Sequence, residues 1–179
     1  MMLEGKNVNL RIMEKEDLPL YAEWVNDPNF FGEYNPIEQM TKSDMERHYD
    51  SAPQENMKFF VEKKDGTKIG VVNTFSTGNQ LEIGFALIPA ERGKGNCTEA
   101  VTILVDYLFL SRDLVRIQAT SDLRNTASQR VLEKVGFKKE GTVRKSIFIH
   151  GEWRNLYLYS ILREEWKKPK ILLRQPSKQ

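Results

Sequence analysis

The residues in this chain best placed to do chemistry lie in Leu81-Glu-Ile-Gly-Phe-Ala-Leu-Ile-Pro-Ala-Glu-Arg-Gly-Lys-Gly-Asn-Cys-Thr-Glu-Ala100. The stretch begins as a strand, breaks at Pro89, passes through Arg92-Gly93-Lys94-Gly95 and enters a long apolar helix. Two glycines let successive N–H groups converge, and a helix N-terminus adds the positive end of its dipole. Arg92 and Lys94 supply formal charge, so the pattern suits a phosphate or pyrophosphate. An ordinary polar strand–helix connection would satisfy the same few residues. A nucleotide P-loop is excluded because no Lys-Ser or Lys-Thr follows the glycines at its spacing. A dinucleotide fingerprint is excluded because Thr98 stands where its third glycine belongs.

A second pattern follows at Asn125-Thr-Ala-Ser-Gln-Arg-Val-Leu-Glu-Lys-Val-Gly-Phe137. Asn125 is a good N-cap, and Val131, Leu132 and Val135 make an apolar stripe at helical spacing. Gly136 sits where a helix ends in the left-handed region, and Phe137 begins a strand. A capped amphipathic helix accounts for these features taken alone. Their order behind the glycine loop is what gives them weight.

Together the two patterns resemble the GNAT N-acetyltransferase superfamily. Arg92-x-x-Gly95-x-Cys97 is similar to its acyl-CoA loop, [Q/R]-x-x-G-x-[G/A], with cysteine in the last position. Asn125 to Phe137 is similar to its N-x-x-S-x-x-(V/L)-L-E-K-x-G-F helix. Val8-Asn-Leu-Arg11, Glu16-Asp-Leu18, Glu23-Trp-Val-Asn-Asp27, Lys138 to Arg144, Ile149-His-Gly-Glu-Trp153 and Leu158 to Trp166 extend the likeness over nearly the whole chain. They resemble the RimJ/RimL branch of ribosomal-protein N-terminal acetyltransferases. Three departures stand out: Cys97, Asn155 where the branch often carries Asp, and Leu132 where many relatives carry a thiol-protonating tyrosine.

The resemblance implies acyl transfer from acetyl-CoA, a cosubstrate, to a primary amine by direct attack in a ternary complex, with no metal. Backbone N–H groups of Arg92, Gly93, Lys94, Gly95, Asn96, Cys97 and Thr98 would hold the pyrophosphate. Leu87 and Ile88, at the strand end, would pair with the pantetheine and offer an N–H to the thioester oxygen. Asn125 would bond the pantetheine, and Ser128 would protonate the leaving sulfur in place of the missing tyrosine; a hydroxyl bonded back to its own helix is the plain alternative. Glu82 shares a strand face with Gly84 and Ala86 and could draw a proton through water. A cross-strand ion pair would equally explain it, and Glu33 is its competitor as base. Tyr34, Phe30 and Phe31 line the acceptor side in this reading, with core packing an equal account of Phe30. His48 and His150 read as surface or turn residues.

The acceptor follows from proton chemistry. At pH 7 an α-amine of pKa near 8 is about one-tenth neutral, and a lysine amine near 10.4 only about 0.04%. That gap of about 2.5 units is about 3.4 kcal/mol, which a lysine or polyamine acetylase must recover through its site. With no convincing base in the sequence, a protein N-terminal α-amine is the easier substrate. Small amines (polyamines, amino sugars, aminoglycosides) stay open, as does a CoA-binding sensor without turnover, motivated by Leu132 and Cys97.

Composition agrees. The chain has 179 residues, 40% of them apolar, and a net charge of +2, too small to argue for nucleic acid. One cysteine excludes an internal disulfide and suits a cytoplasmic protein; two histidines argue against structural zinc. No apolar run reaches membrane-spanning length, and no signal-peptide core opens the chain.

The elements that must position these residues read as an α/β (α+β) fold, a mixed, mostly antiparallel sheet of about seven strands with about four helices, as the resemblance implies. Strands are expected at 8–12, 58–63, 68–76, 81–88, 115–120, 138–150 and 153–162. Helices are expected at about 17–26, from a Thr41 cap to 52, at about 95–110, and from Asn125 to 135. Residues 30–36 read as an aromatic loop. Residues 1–166 form a single domain in this reading and 167–179 a basic tail, either frayed or an arm packing on a second subunit of a homodimer or touching RNA.

Overall fold

The computed structural model describes residues 2–167 and Pro169; beyond these two points the basic tail expected at 167–179 lies outside the described residues. The strands are β1 (Met2–Glu4), β2 (Val8–Ile12), β3 (Lys58–Lys63), β4 (Lys68–Thr77), β5 (Gln80–Leu87), β6 (Arg116–Asp122), β7 (Lys138–Ile149) and β8 (Glu152–Leu162). The helices are α1 (Leu18–Val25), α2 (Pro28–Phe31), α3 (Lys42–Ser51), α4 (Asn96–Ser111) and α5 (Thr126–Val135). The sheet has eight strands in the order β1-β2-β3-β4-β5-β6-β8-β7, antiparallel except where β5 meets β6.

Two expectations need correction. β1 is an eighth strand, three residues long, held to β2 from Met2↔Arg11 to Glu4↔Asn9. The segment read as an aromatic loop holds the short helix α2, started by Pro28 and capped by the Asp27 carboxylate on the Asn29 N–H at 2.9 Å, then a 3-10 turn, Gly32–Tyr34.

Alternation along the strands sorts side chains into two cores. Phe59, Val61, Ile69, Val72, Ile83 and Leu87 face α4 and α5 in the larger one. Phe60 and Val71 face α1, α2 and α3 in the smaller, with Ala86 and Ile88 against them. The register Phe60↔Val71↔Ala86 sets one row of that second face. α4 supplies Val101, Ile103, Leu104, Val105 and Leu108 to the larger core, which explains its continuous apolar run.

The helix ends follow their sequence signals. Thr41 and Asp44 make a reciprocal capping box on α3. The Asn125 carboxamide oxygen accepts the Ser128 N–H at 3.1 Å and so caps α5. At the other end Gly136 (φ +116) and Phe137 return their N–H groups to Glu133 and Leu132, a Schellman ending. Between them Leu132 is completely buried in the larger core, with Val131 and Val135 against it. Truncating Leu132→Ala should cost about 2–5 kcal/mol, read as a lower urea midpoint with unchanged slope.

Candidate active site

β5 and β6 share one parallel bridge pair, Glu82↔Gln118, and are unpaired with each other beyond it. The Ile88 N–H donates to the Ile69 carbonyl at 2.9 Å, which makes 69/88 a bonded pair in the β4–β5 ladder. Bonding alternates along an antiparallel ladder, so the Phe85 and Leu87 peptide groups point away from β4, toward the gap. Backbone donors therefore open into a wedge whose vertex is Glu82.

The wedge is part of a cavity of about 530 Å³. Its wall takes Phe85, Ala86 and Leu87 from β5, and Arg92, Gly93, Gly95, Cys97 and Thr98 from the glycine loop and α4. Asn125, Ala127, Ser128, Arg130, Val131 and Lys134 come from α5, and Phe30 through Asn35 form the opposite side. Most of the expected residues are thus brought together: Leu87, Arg92, Gly93, Gly95, Cys97, Thr98, Asn125, Ser128, Glu33 and Tyr34 share this wall.

The loop itself has the backbone geometry of an anion cradle. Gly93 and Gly95 adopt φ of +75° and +83°, where a Cβ would be strained. The first helical bond of α4 runs from the Glu99 N–H to the Gly95 carbonyl, and no side chain caps the helix. The Asn96, Cys97 and Thr98 N–H groups are consequently left for a ligand. α3 and α5, by contrast, close their N-termini with Thr41 and Asn125.

Several expected residues have other duties. The Arg92 guanidinium does not point its charge at the cradle. Its Nε donates to the Leu87 carbonyl at 3.0 Å, and one terminal nitrogen donates to Asn29 and Phe30 carbonyls at 3.1 and 2.6 Å. Lys94 and Asn96 lie off the cavity wall, and Lys94 pairs with Glu91 at 3.3 Å. Ile88 is also off the wall, because its N–H is engaged by β4 and it packs against the smaller core. Arg130 and Lys134 do line the cavity, and neither has an ion pair among the described residues. Sequence reading missed both, together with Ala127 and Val131. Helical spacing from Asn125 would have found them, since positions 127, 130, 131 and 134 share one face.

Burial pushes the Cys97 thiol up to about 12, only partly countered by Arg92, so it is a protonated, inert wall residue packed against the larger core. The Ser128 hydroxyl has no hydrogen-bond partner among the described residues, whereas Ser51, Thr102 and Ser111 all bond back to their own helices. The plain alternative for Ser128 is therefore absent.

Glu82 is 8% exposed and lies off the cavity wall. Its carboxylate accepts from Thr120 Oγ1 at 2.8 Å and Gln118 Nε2 at 3.1 Å, two neutral donors rather than the cross-strand cation that was the alternative. Among the described residues, Glu33 is the one carboxylate on the wall. Burial raises the neighbouring Tyr34 phenol above its usual range, with the Glu33 and Asp122 charges adding to it. Asp122 ends β6 beside this group. Burial would raise its carboxyl, but the Arg124 N–H and guanidinium and the Arg154 charge outweigh burial and hold it below the usual carboxylate range. Asn155, in place of an acid, accepts the Lys145 N–H at 2.8 Å where β7 bulges. His48 is exposed on α3, and His150 (φ +49) makes the β7–β8 turn.

This geometry fits an anionic cosubstrate with an amide-bearing arm: orphan N–H groups for phosphates, free cations beside them, and an open strand edge for amides. The comparisons agree. A family model described as the acetyltransferase (GNAT) domain matches residues 7–138. A probable N-acetyltransferase of Bacillus subtilis, YjcK, is 35% identical over 90% of this chain and 97% of its own length. The spermidine N(1)-acetyltransferase of Escherichia coli K12 is 28% identical over 99% of this chain and 100% of its own. The crystal structure of the ribosomal-protein-S5-alanine acetyltransferase of Vibrio fischeri superposes with a TM-score of 0.80 at 23% identity, covering 93% of this chain and 99% of that one. With cradle, wedge and family model coinciding on the same residues, the chain belongs to the GNAT family and is an N-acetyltransferase that takes its acetyl group from acetyl-CoA.

Proposed function

We propose that the acceptor is a protein N-terminal α-amine, acetylated by direct attack in a ternary complex. The observation that carries this is the charge of the cavity wall: among the described residues Glu33 alone is acidic, against Arg92, Arg130 and Lys134. That balance suits an anionic cosubstrate and an acceptor with a single positive charge. A polyamine carries several cations and would need more carboxylates than one. The full-length likeness to a spermidine acetyltransferase supports the polyamine reading instead, and the ribosomal-protein neighbour supports the first.

In this reading the N–H groups of Gly93 to Thr98 hold the pyrophosphate, and Arg130 and Lys134 neutralise the phosphates. The Leu87 and Phe85 N–H groups face the pantetheine and the thioester oxygen. Asn125 keeps its amide N–H₂ for the same arm while its oxygen caps α5. Ser128 supplies a proton to the departing sulfur. Glu33 and Tyr34 flank the amine. Glu82, at the wedge vertex, draws the amine's proton through water lying along β5. The sensor reading loses its motive, because Leu132 is a core residue and Cys97 leaves the cradle open.

Acetyl-CoA-dependent thiol release should occur with peptides bearing small N-terminal residues and be far slower with polyamines or aminoglycosides; preference for spermidine would overturn the α-amine assignment. Gly95→Val forces a branched side chain into a left-handed backbone at the cradle, and should weaken acetyl-CoA binding at least about tenfold by calorimetry, equivalent to about 1.4 kcal/mol. Ser128→Ala should lower kcat about tenfold or more with acetyl-CoA affinity kept, and an unchanged kcat removes its acid role. Glu82→Gln should lower kcat about 100-fold with acetyl-CoA affinity kept; if Glu33→Gln does so instead, the base is Glu33.

A further inference from the structure

Residues 30–35 form one side of the cavity, and the smaller core holds them through Phe30 and Phe31 alone. Phe30 is the segment's one fully buried side chain, stacked on Trp24 at 5.0 Å. Gly32 breaks the backbone at φ +71°, so the 3-10 turn that carries Glu33 and Tyr34 is not a rigid continuation of α2. Beyond that packing, restraint on the segment comes from the two walls of the cleft. From the β5 side, Arg92 donates to the Asn29 and Phe30 carbonyls. From the far side, Arg154 on β8 donates to the Glu33 carbonyl at 3.0 Å.

Arg154 is itself held. Its side chain is 11% exposed, its Nε donates to Glu152 at 3.0 Å, and the terminal nitrogen that reaches Glu33 lies 3.5 Å from Asp122 Oδ2. Asp122 is 4% exposed and is fixed by the Arg124 N–H and guanidinium. One half-buried guanidinium thus joins the end of β6, strand β8 and the acceptor-side turn. Arg154 is not on the cavity wall, so it can act on the reaction only through what it holds.

We propose that Arg154 is a positioning residue for the amine acceptor: by anchoring the Glu33 carbonyl against the Asp122 end of β6, it sets where the Glu33 and Tyr34 side chains meet the amine. This rests on Glu33 and Tyr34 forming the acceptor wall, as proposed above, and is independent of which amine is used. A planar, forked donor is required, because one terminal nitrogen must serve a carbonyl and lie by a carboxylate while Nε serves another. Lysine keeps the charge beside Asp122 and loses the fork. Misplacement of a positioning group by about an ångström weakens productive binding strongly without touching the cradle.

The test uses the whole chain with whichever amine the wild type turns over fastest, so that a polyamine preference would sink the α-amine assignment and leave this experiment intact. Arg154→Ala should raise the amine KM about tenfold and Arg154→Lys by a smaller factor, with acetyl-CoA affinity within about twofold of wild type for both. A lower Tm with both constants unchanged would reduce Arg154 to a structural brace and overturn the proposal. A weakened acetyl-CoA affinity with unchanged amine KM would overturn it too, by giving the segment to the cosubstrate. Should Arg154→Ala fail to fold, Arg154→Lys decides alone: an amine KM equal to wild type refutes the assignment.

Discussion

Two parallel strands that share a single bridge pair cannot satisfy the peptide groups that follow it. Beyond Glu82↔Gln118, the outward-facing N–H and C=O groups of β5 have no strand to meet. Backbone groups left without partners in a protein interior are costly, so such a gap persists only where something else completes the bonding. Here the protein completes part of it, with Arg92 on the Leu87 carbonyl, and leaves the rest to a ligand. The position of α4 follows from the same opening. Its apolar length is fixed by the larger core, and its uncapped N-terminus comes to rest beside the open strand. Cradle and strand edge are two consequences of one failed pairing.

The arginines extend this logic to the acceptor side. A guanidinium presents five donors in a fixed fork, and carbonyls at helix and turn ends present acceptors that lack partners. Arg92 meets three such carbonyls, and Arg163 similarly gathers those of Phe109, Arg112 and Leu114 at the far end of α4. Hydrogen bonds from charged donors contribute roughly 1.5–3 kcal/mol each, comparable to burying one aliphatic side chain. The segment at 29–35 is therefore held by polar links to its surroundings as well as by the packing of Phe30 and Phe31. Formal charge near the cradle is left to Arg130 and Lys134, whose side chains carry no competing ion pair among the described residues.

Much of this was legible in the sequence because the signals were local. The Thr41 box, the Asn125 cap, the Gly136 ending and the two left-handed glycines depend on neighbours within a few residues, and each stands where its pattern placed it. β1 was missed because three residues cannot show alternation; only its pairing with β2 defines it. α2 was missed because four residues are shorter than a helical period needs to become visible. Arg92 looked like a ligand for phosphate because its motif position is at the loop, while its partners at Asn29 and Phe30 lie more than sixty positions away. Ile88 and Leu87 are adjacent and chemically alike, and ladder parity alone decides which N–H is free. Arg154 carried no local pattern at all.

Helix geometry also explains why the missing tyrosine does not leave a hole in the site. Successive residues turn by about 100°, so position 132 is rotated about 40° from position 128 on α5. The cavity face runs through Ala127, Arg130, Val131 and Lys134, and the core face centres on Leu132. Ser128 sits where the two faces meet, in the first turn, with its hydroxyl unbonded among the described residues. A phenol at 132 would have to reach out of a packed interior, whereas here leucine is fully buried in the larger core. The branch point is thus one of packing. Once position 132 is committed to the core, Ser128 is a hydroxyl that α5 presents at the boundary of the cavity.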